Sequence, residues 1–327
     1  MKKIALITGI TGQDGSYLAR FLLNKKYQVH GIVRRVALED ETHRMWRIID
    51  IKKKITLHSA SLESYASLVK IVQKIKPAEV YHLAAQSYVH YSFEDEYSTL
   101  NTNINGTHYM LSALKDFSPK SKFYFAGSSE MFGKVRKTPQ NEDTPFYPRS
   151  SYGISKVTGF DLTRNYREAY NLFACSGILF NHESPRRGFE FVTRKITHGV
   201  ARIKIGLQKK IELGNLDAQR DWGHAEDYVE AMWKMLQQKK PEDFVIGTGK
   251  THSVREFAKL AFKLVGLDYK KYVVINKKFK RPAEVDTLIS DCAKAKRILK
   301  WKPKKTFEQL VVDMVNSDLN FVKKQGY

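Results

Sequence analysis

Residues 8–15 read Thr-Gly-Ile-Thr-Gly-Gln-Asp-Gly, and this stretch decides the fold. A short apolar run at residues 3–7 comes before it, and apolar residues with helical spacing follow it at 17–22. A strand, a glycine-rich turn and a helix in this order bind the pyrophosphate of a dinucleotide, because the turn permits close backbone approach and the helix start offers N–H groups. The predicted cofactor-binding residues of the turn are Gly9, Thr11, Gly12, Gln13, Asp14 and Gly15.

Short apolar runs alternate with helical stretches along the first 180 residues of the chain. The runs that predict strands lie at residues 28–33, 55–58, 80–84, 122–126 and 172–180. The stretches that predict helices lie at residues 65–75, 105–117 and 152–170. Because alternation of this kind is typical of parallel sheets covered by helices on both faces, we expect an α/β fold with a Rossmann-type, doubly wound parallel sheet.

The pattern changes after residue 181, where prolines, arginines and turn residues interrupt the apolar runs. Helices are predicted at 227–236 and 254–265, and short strands at 210–213 and 244–246. This half is too irregular for a large sheet of its own. We therefore expect a cofactor-binding domain at 1–180, joined by segments near 226–250, and a smaller α/β substrate-binding lobe at 181–225 and 251–327.

The chain is strongly basic, with 56 Lys and Arg against 34 Asp and Glu and a formal net charge of +22. The lysines are dispersed and accompany no nucleic-acid-binding motif, so the charge favours anionic nucleotides over nucleic acid as partners. Cys175 and Cys292 lack any metal-ligand or disulfide spacing, which predicts no metal site. The sequence has neither a signal peptide nor an apolar run long enough for a membrane span, so a cytoplasmic protein is expected.

The end of the second predicted strand indicates which dinucleotide is bound. An NAD enzyme usually places an acidic residue there, against the ribose hydroxyls, whereas this chain has Arg34 and Arg35. Since guanidinium groups pair well with phosphate, the sequence predicts NADP. The small residues Leu83, Ala84 and Ala85 would let the dinucleotide cross the fourth strand, and Asn103 is expected to satisfy buried backbone groups nearby.

Four residues near the fifth strand are the candidates for catalysis. Tyr152 and Lys156 lie four apart on one face of a predicted helix, where the lysine and a positive nicotinamide ring would favour tyrosinate. Ser128 can hydrogen-bond the reacting oxygen. Glu130 is the discriminating residue, because elimination needs a carboxylate that a simple dehydrogenase or 4-epimerase does not; the alternative is a solvated loop glutamate.

Six segments of the chain resemble the GDP-mannose 4,6-dehydratase family of the extended short-chain dehydrogenases/reductases. They read TGITGQDGSYL at 8–18, LAAQS at 83–87, FYPRS at 146–150, LFNHESPRRG at 179–188, RDWGHA at 220–225 and RPAEVD at 281–286. The resemblance runs nearly from end to end. It implies a redox-neutral reaction: Tyr152 would deprotonate the 4-hydroxyl as hydride passes from C4 to NADP, and Glu130 would remove the C5 proton as the 6-hydroxyl leaves. Hydride would then return to C6.

The same resemblance implies further binding residues and an oligomer. His182 and Arg187 would contact the cofactor or the phosphates, and the family usually forms homodimers or homotetramers. The residues implied on the GDP-sugar side are Ser87, Asn181, Val192, Lys195, Gly214, Arg220, Arg281 and Glu284.

The sequence also departs from the family at several positions. Ser61 replaces an aspartate near the expected adenine site, Ser128 replaces threonine, and residues 36–48 do not match the serine-rich loop that joins subunits in the family. Tyr88, His90 and residues 153–155 differ around the expected sugar pocket. A GDP-heptose in place of GDP-mannose therefore stays an alternative, as do a GDP-4-keto-6-deoxy-sugar reductase, a 4-epimerase and an RNA-associated protein that uses the fold as an NADP sensor.

Overall fold

The computed structural model of the protein describes residues 2–279, 285 and 287–325. Its centre is a sheet of seven strands in the order β11-β6-β5-β4-β1-β2-β3, with every neighbouring pair parallel. These strands are β1 (Ile4–Thr8), β2 (Gln28–Val33), β3 (Thr56–Ser59), β4 (Glu79–His82), β5 (Lys122–Ser128), β6 (Phe173–Leu179) and β11 (Phe244–Ile246). The strand order reverses beside β1, which places a ligand-binding crevice at the carboxyl edge of the sheet.

Helices cover both faces of this sheet. They are α1 (Gln13–Asn24), α2 (Arg35–Glu39), α3 (Glu41–Arg44), α4 (Tyr65–Ile75), α5 (Tyr91–Glu94), α6 (Glu96–Leu100), α7 (Gly106–Phe117), α8 (Ser151–Tyr170) and α10 (Ala225–Leu236). One apolar core lies between the sheet and α1 with α10, and a second lies between the sheet and α4, α7 and α8. The doubly wound α/β fold predicted from the sequence is therefore confirmed.

A third apolar core holds the smaller lobe together. Its helices are α9 (Val192–Lys204), α11 (Val254–Leu264), α12 (Tyr269–Tyr272) and α13 (Phe307–Gln325). Its short strands are β7 (His182–Glu183), β8 (Ile211–Leu213), β9 (Gln219–Arg220), β10 (Gly223–His224), β12 (His252–Ser253), β13 (Val273–Ile275) and β14 (Thr287–Leu288). The chain leaves the large sheet after β6, returns to it for α10 and β11, and then leaves it again.

Several predicted boundaries shift by a few residues, and hydrogen bonds explain two of the shifts. β4 ends at His82 instead of residue 84, because the hydroxyl of Thr8 accepts the N–H groups of Leu83 and Ala84 at 3.1 Å each. β5 continues to Ser128 because it pairs with β6 along its full length, up to Leu179. Both shifts concern the edge of the sheet that carries the site.

The glycine turn between β1 and α1 is as tight as the sequence suggested. A Cβ atom at Gly15 would lie 2.3 Å from the carbonyl oxygen of Gly9, so no larger residue fits while the turn keeps this shape. Gly12 begins α1 without any side-chain cap. The first N–H groups of the helix are therefore available to an anionic ligand. None of the described helices combines the length and the apolar character needed to cross a membrane.

Candidate active site

A long cleft lies at the carboxyl edge of the sheet, where the turns after β1, β2, β4, β5 and β6 meet. Its volume of about 630 Å³ is typical of a site for a small molecule or cofactor. A second cavity of about 220 Å³ opens from it into the smaller lobe. The residues that line both cavities, called the shared wall below, are Ser87, Ser128, Glu130, Tyr152, Asn181 and Arg187.

The larger cleft fits a dinucleotide. The whole predicted turn except the buried Ile10 lines it, from Gly9 to Gly15, and the start of α1 has no side-chain cap. Such a helix start can bind the phosphates of a dinucleotide. Leu83, Ala84 and Ala85 form the adjoining wall. The wall also includes Ser61, one of the positions where the sequence departs from the resemblance, together with Glu63. Sequence reasoning missed Glu63, which no motif singled out.

The two arginines predicted to select NADP have different environments. Arg34 lines the cleft at the end of β2. Arg35 lies outside the lining, and its side chain is 85% exposed and paired with Glu39 at 2.9 Å. The difference arises because Arg34 is the N-cap residue just before α2 and has an extended backbone. Arg35 is the first residue of the helix and lies one turn before Glu39. The structure thus brings only Arg34 to the cleft.

Tyr152 and Lys156 project from the first turns of α8, which begins where Ser150 accepts a hydrogen bond from the N–H of Gly153 at 3.0 Å. Both side chains are buried, and the ammonium lies 5.7 Å from the centre of the phenol ring. The ammonium donates a hydrogen bond of 2.8 Å to the carbonyl of Ala126 on β5. Both groups line the cleft beside the turn that follows this strand.

Burial dominates the ionisation of this pair. It raises the pKa of Tyr152 to about 12, although the nearby Ser128 hydroxyl and Arg187 act in the opposite direction. Burial also lowers the pKa of Lys156 to about 8. The lysine by itself therefore does not produce the tyrosinate expected from the sequence, and a further positive charge beside the phenol would be needed to favour it.

Glu130 occupies the centre of the site and is not the solvated loop glutamate considered as an alternative. It follows the end of β5 in one 3₁₀ turn, only 8% of the residue is exposed, and it belongs to the shared wall. The hydroxyl of Ser128 accepts its N–H at 3.2 Å. A Cβ atom at Gly153 would lie 2.8 Å from the Glu130 carbonyl oxygen. The unusual glycine between Tyr152 and Lys156 thus lets α8 contact this turn directly.

A hydrogen-bond network links the start of α8 to the loop after β4 through Asn103. The side chain of Asn103 accepts the N–H of Gln86 at 2.8 Å and donates to its carbonyl at 3.0 Å, which is the backbone role predicted for it. Asn103 also donates to the Ser155 hydroxyl at 3.0 Å, and Ser155 donates to the carbonyl of Tyr152 at 2.7 Å. The loop after β4 and the helix that bears Tyr152 are therefore held together.

His182 forms an ion pair that the sequence did not reveal. Its Nε2 lies 2.8 Å from the carboxylate of Asp14 in the glycine turn, and its Nδ1 lies 2.8 Å from the carbonyl oxygen of Phe180. Its ring stacks on Tyr228 at 4.5 Å. Burial lowers the pKa of His182, but the Asp14 carboxylate and the two hydrogen bonds outweigh it and raise the pKa overall. Despite the cost of its burial, Asp14 keeps a lowered pKa because His182 stabilises its charged form.

This ion pair predicts a pH-dependent stability difference between the wild type and His182→Gln. Because the pKa of His182 is raised, its contribution is complete below the ordinary value of 6.5 and is lost as the pH rises through the folded-state pKa. Because the pKa of Asp14 is lowered, its contribution is complete above 3.8 and is lost on further acidification. We expect the variant to lower the melting temperature more at pH 5.5 than at pH 9. His108→Gln, at an exposed position of α7, is the control. Equal losses of melting temperature at both pH values would contradict the prediction.

The second cavity contains the remaining predicted substrate residues that the structure describes. Val192, Lys195, Gly214 and Arg220 all line it, as do Tyr88 and His90 from the loop after β4. Arg281 and Glu284 lie outside the described residues. Sequence reasoning missed Glu183, Phe191 and Trp222 in this lining, although two of them fall in quoted motifs. The Lys195 ammonium sits 3.4 Å from the centre of the Phe279 ring, so this end of the cavity offers both charge and an aromatic surface.

A parallel Rossmann sheet with a dinucleotide-sized cleft, a tyrosine and lysine on one helix face and a serine at the end of β5 defines an extended short-chain dehydrogenase/reductase. The model of the family described as GDP-mannose 4,6 dehydratase matches residues 6–314. The chain belongs to this family. It is 54% identical to GDP-mannose 4,6 dehydratase 2 of Arabidopsis thaliana, over 99% of this chain and 89% of that protein.

Solved structures with low sequence identity share the fold. The protein RMD of Pseudomonas aeruginosa, solved with NADPH, is 23% identical with a TM-score of 0.83, over 98% of this chain and 100% of the other. A dTDP-glucose 4,6-dehydratase of Bacillus anthracis, solved with NAD, is 21% identical with a TM-score of 0.84, over 98% of each chain. At these identities the likeness supports the predicted fold, and the cofactors belong to those two proteins.

Proposed function

We propose that this protein is an NADP-dependent dehydratase that converts GDP-mannose to GDP-4-keto-6-deoxymannose. The bound cofactor would accept hydride from C4 and return it to C6, so that no net oxidation occurs. Tyr152 would accept the proton of the 4-hydroxyl, with Ser128 holding the same oxygen. Glu130 would remove the C5 proton and pass it to the departing 6-hydroxyl, which leaves as water. As hydride returns to C6, a proton from solvent would reach C5, and Tyr152 would release to solvent the proton that it accepted.

The single observation that carries this proposal is the position of Glu130. A buried carboxylate stands on the shared wall, one turn beyond the end of β5 and in the same wall as Tyr152. Hydride transfer alone needs one acid–base group, which Tyr152 provides. Since a carboxylate that acts as a second acid–base group at this junction has no task in simple dehydrogenation or 4-epimerisation, the burial of Glu130 favours elimination.

Mass spectrometry of a reaction with GDP-mannose and catalytic NADP tests the proposal. The expected product has lost one water, and no NADPH is consumed. A reductase would instead consume NADPH in proportion to product, and a 4-epimerase would leave the substrate mass unchanged. Turnover of a GDP-heptose with no turnover of GDP-mannose would support the proposed dehydratase activity but would show that the substrate is the heptose.

The preference for NADP over NAD depends on Arg34 in this proposal. Arg34→Ala is expected to weaken NADP binding by roughly 1–3 kcal/mol, the scale of a lost hydrogen bond between charged groups, and to leave NAD binding nearly unchanged. Titration calorimetry with each dinucleotide measures the difference. Arg35→Ala is the matched control, because that side chain is exposed and paired with Glu39. If both variants lose NADP affinity equally, the assignment to Arg34 is wrong.

A further inference from the structure

The first turn of α9 contains a buried arginine that does not line either cavity. Arg194 is 2% exposed, and its neighbours Val192 and Lys195 face the second cavity from the same turn. A buried guanidinium is stable only when its charge and its N–H groups are satisfied. The partners of Arg194 therefore show what it holds in place.

One side of the guanidinium is bound to the C-terminal helix. Nε and Nη2 of Arg194 lie 2.8 and 2.7 Å from one carboxylate oxygen of Asp318 on α13. The other oxygen accepts a hydrogen bond of 2.6 Å from the hydroxyl of Thr197, one turn further along α9. Asp318 is fully buried. The carboxylate thus fixes the orientation of the guanidinium plane.

The other side of the guanidinium is bound to the loop that supplies Arg187. Nη1 of Arg194 donates to the carbonyl oxygens of Pro185 and Arg187, the second at 3.2 Å. The same loop is turned by a hydrogen bond of 3.0 Å from the N–H of Arg187 to the carbonyl of Ser184. Arg194 therefore connects α13 to the backbone of the residue that reaches the shared wall.

Two neighbours in the same part of the chain, Glu183 and Phe191, position the side chain of Arg187. Its Nε lies 3.0 Å from the buried carboxylate of Glu183, and its guanidinium lies 3.5 Å from the centre of the Phe191 ring. Glu183 in turn accepts a hydrogen bond of 2.5 Å from Thr193, the residue before Arg194. Arg187 lines both cavities, so a displacement of its backbone moves a positive charge at their junction.

A purely structural role does not require this arrangement. Apolar side chains of similar size could join α9 to α13, and replacing a buried ion pair in that way is often neutral for stability. Apolar groups could not hold two loop carbonyls, however. The directed N–H groups of Arg194 favour a role in the geometry of the loop.

We propose that Asp318 is a positioning residue of the active site, which acts through Arg194 to set the backbone of Arg187 at the junction of the cofactor and substrate cavities. The inference rests on the proposed function for the identity of the ligands. It predicts that a change in the C-terminal helix alters ligand binding, although Asp318 lines neither cavity.

The test compares Asp318→Asn with the wild-type protein by titration calorimetry, using GDP and NADP as probes, and by steady-state kinetics with GDP-mannose. We expect the dissociation constant for GDP to rise about tenfold, the effect of a small misplacement of one binding group, with KM rising more than kcat falls. Val311→Ala, which removes buried apolar volume elsewhere on α13, is the control for lost stability. Equal losses of affinity in the two variants at equal melting temperatures would overturn the inference.

A double-mutant cycle identifies the route of the effect. In an Arg187→Ala background, Asp318→Asn should cause little further loss of GDP affinity, whereas full additivity would contradict action through Arg187. If Asp318→Asn does not fold, Thr197→Val removes one hydrogen bond to the carboxylate and should shift the same constant by a smaller factor; an unchanged constant counts against the inference. A wild-type protein that binds GDP but turns over no GDP-sugar would refute the proposed function alone. The role of Asp318 would still be decided by the ratio of the GDP dissociation constants of variant and wild type.

Discussion

Replacing Glu130 with glutamine is expected to reduce the formation of the 4-keto-6-deoxy product by about 10³-fold, within the range for the loss of a general acid–base group. The amide has the shape of the carboxylate but cannot accept the C5 proton at neutral pH. Glutamine fits the buried space that Glu130 occupies on the shared wall, and the Ser128 hydroxyl can still accept the backbone N–H at this position. The fold and the binding of GDP-mannose and NADP should therefore persist. The variant separates chemistry from binding.

Isotope exchange measures this effect at the relevant atom. In deuterated water the wild type should incorporate deuterium at C5 of the sugar, and Glu130→Gln should not, with nucleotide affinity checked by calorimetry. Glu168→Gln, at an exposed position of α8, controls for the chemical change itself. Product formation above a tenth of the wild-type rate would remove Glu130 from the elimination step.

Tyr152→Phe is expected to reduce kcat/KM by about 10²–10⁴-fold, because the phenylalanine ring fills the same buried space but has no oxygen to accept the proton. The pH profile gives a sharper test. The productive form needs tyrosinate beside a charged lysine, and the respective pKa values are about 12 and about 8. The fraction in this form rises about tenfold per pH unit up to about pH 8 and is then constant.

The wild-type kcat/KM should follow this rise and then level, whereas the residual activity of Tyr152→Phe should not. A bound nicotinamide cation lowers the phenol pKa, so levelling below pH 8 would measure how far the cofactor shifts it. A wild-type profile that falls between pH 6 and 8 would contradict the assignment of Tyr152 as the base. The control is the thermal stability of both proteins across the same pH range.

Much of the fold could be predicted because its signals are local. The bounds of β2 and α4 agree with the sequence prediction, since the apolar spacing that predicts them lies within the elements themselves. The end of β4 could not be predicted, because Thr8 from another strand accepts the backbone N–H groups there. This prediction failed because a partner distant in the chain decided the outcome.

The site shows the same division. Four candidate residues that line the cleft could be predicted, because motif spacing and strand ends are visible in the sequence. They are Tyr152, Lys156, Ser128 and Glu130. The contrast between Arg34 and Arg35 depends on where a short helix begins, which single-sequence reasoning cannot resolve. The pairs Asp14–His182 and Arg194–Asp318 join residues more than a hundred positions apart. No spacing rule connects such residues, so these pairs emerge only from the folded chain.

The return of the chain to the large sheet has a consequence for biosynthesis. β6 at 173–179 pairs on its outer edge with β11 at 244–246, so this edge stays unpaired until β11 has been synthesised. α10, which covers one face of the sheet, directly precedes β11 in the chain. A nascent chain stopped after residue 180 would expose the edge of β6 and the apolar surface that α10 covers. We therefore expect the sheet to be completed only after residue 246 has been made, and expression of residues 1–180 alone should produce aggregation-prone material.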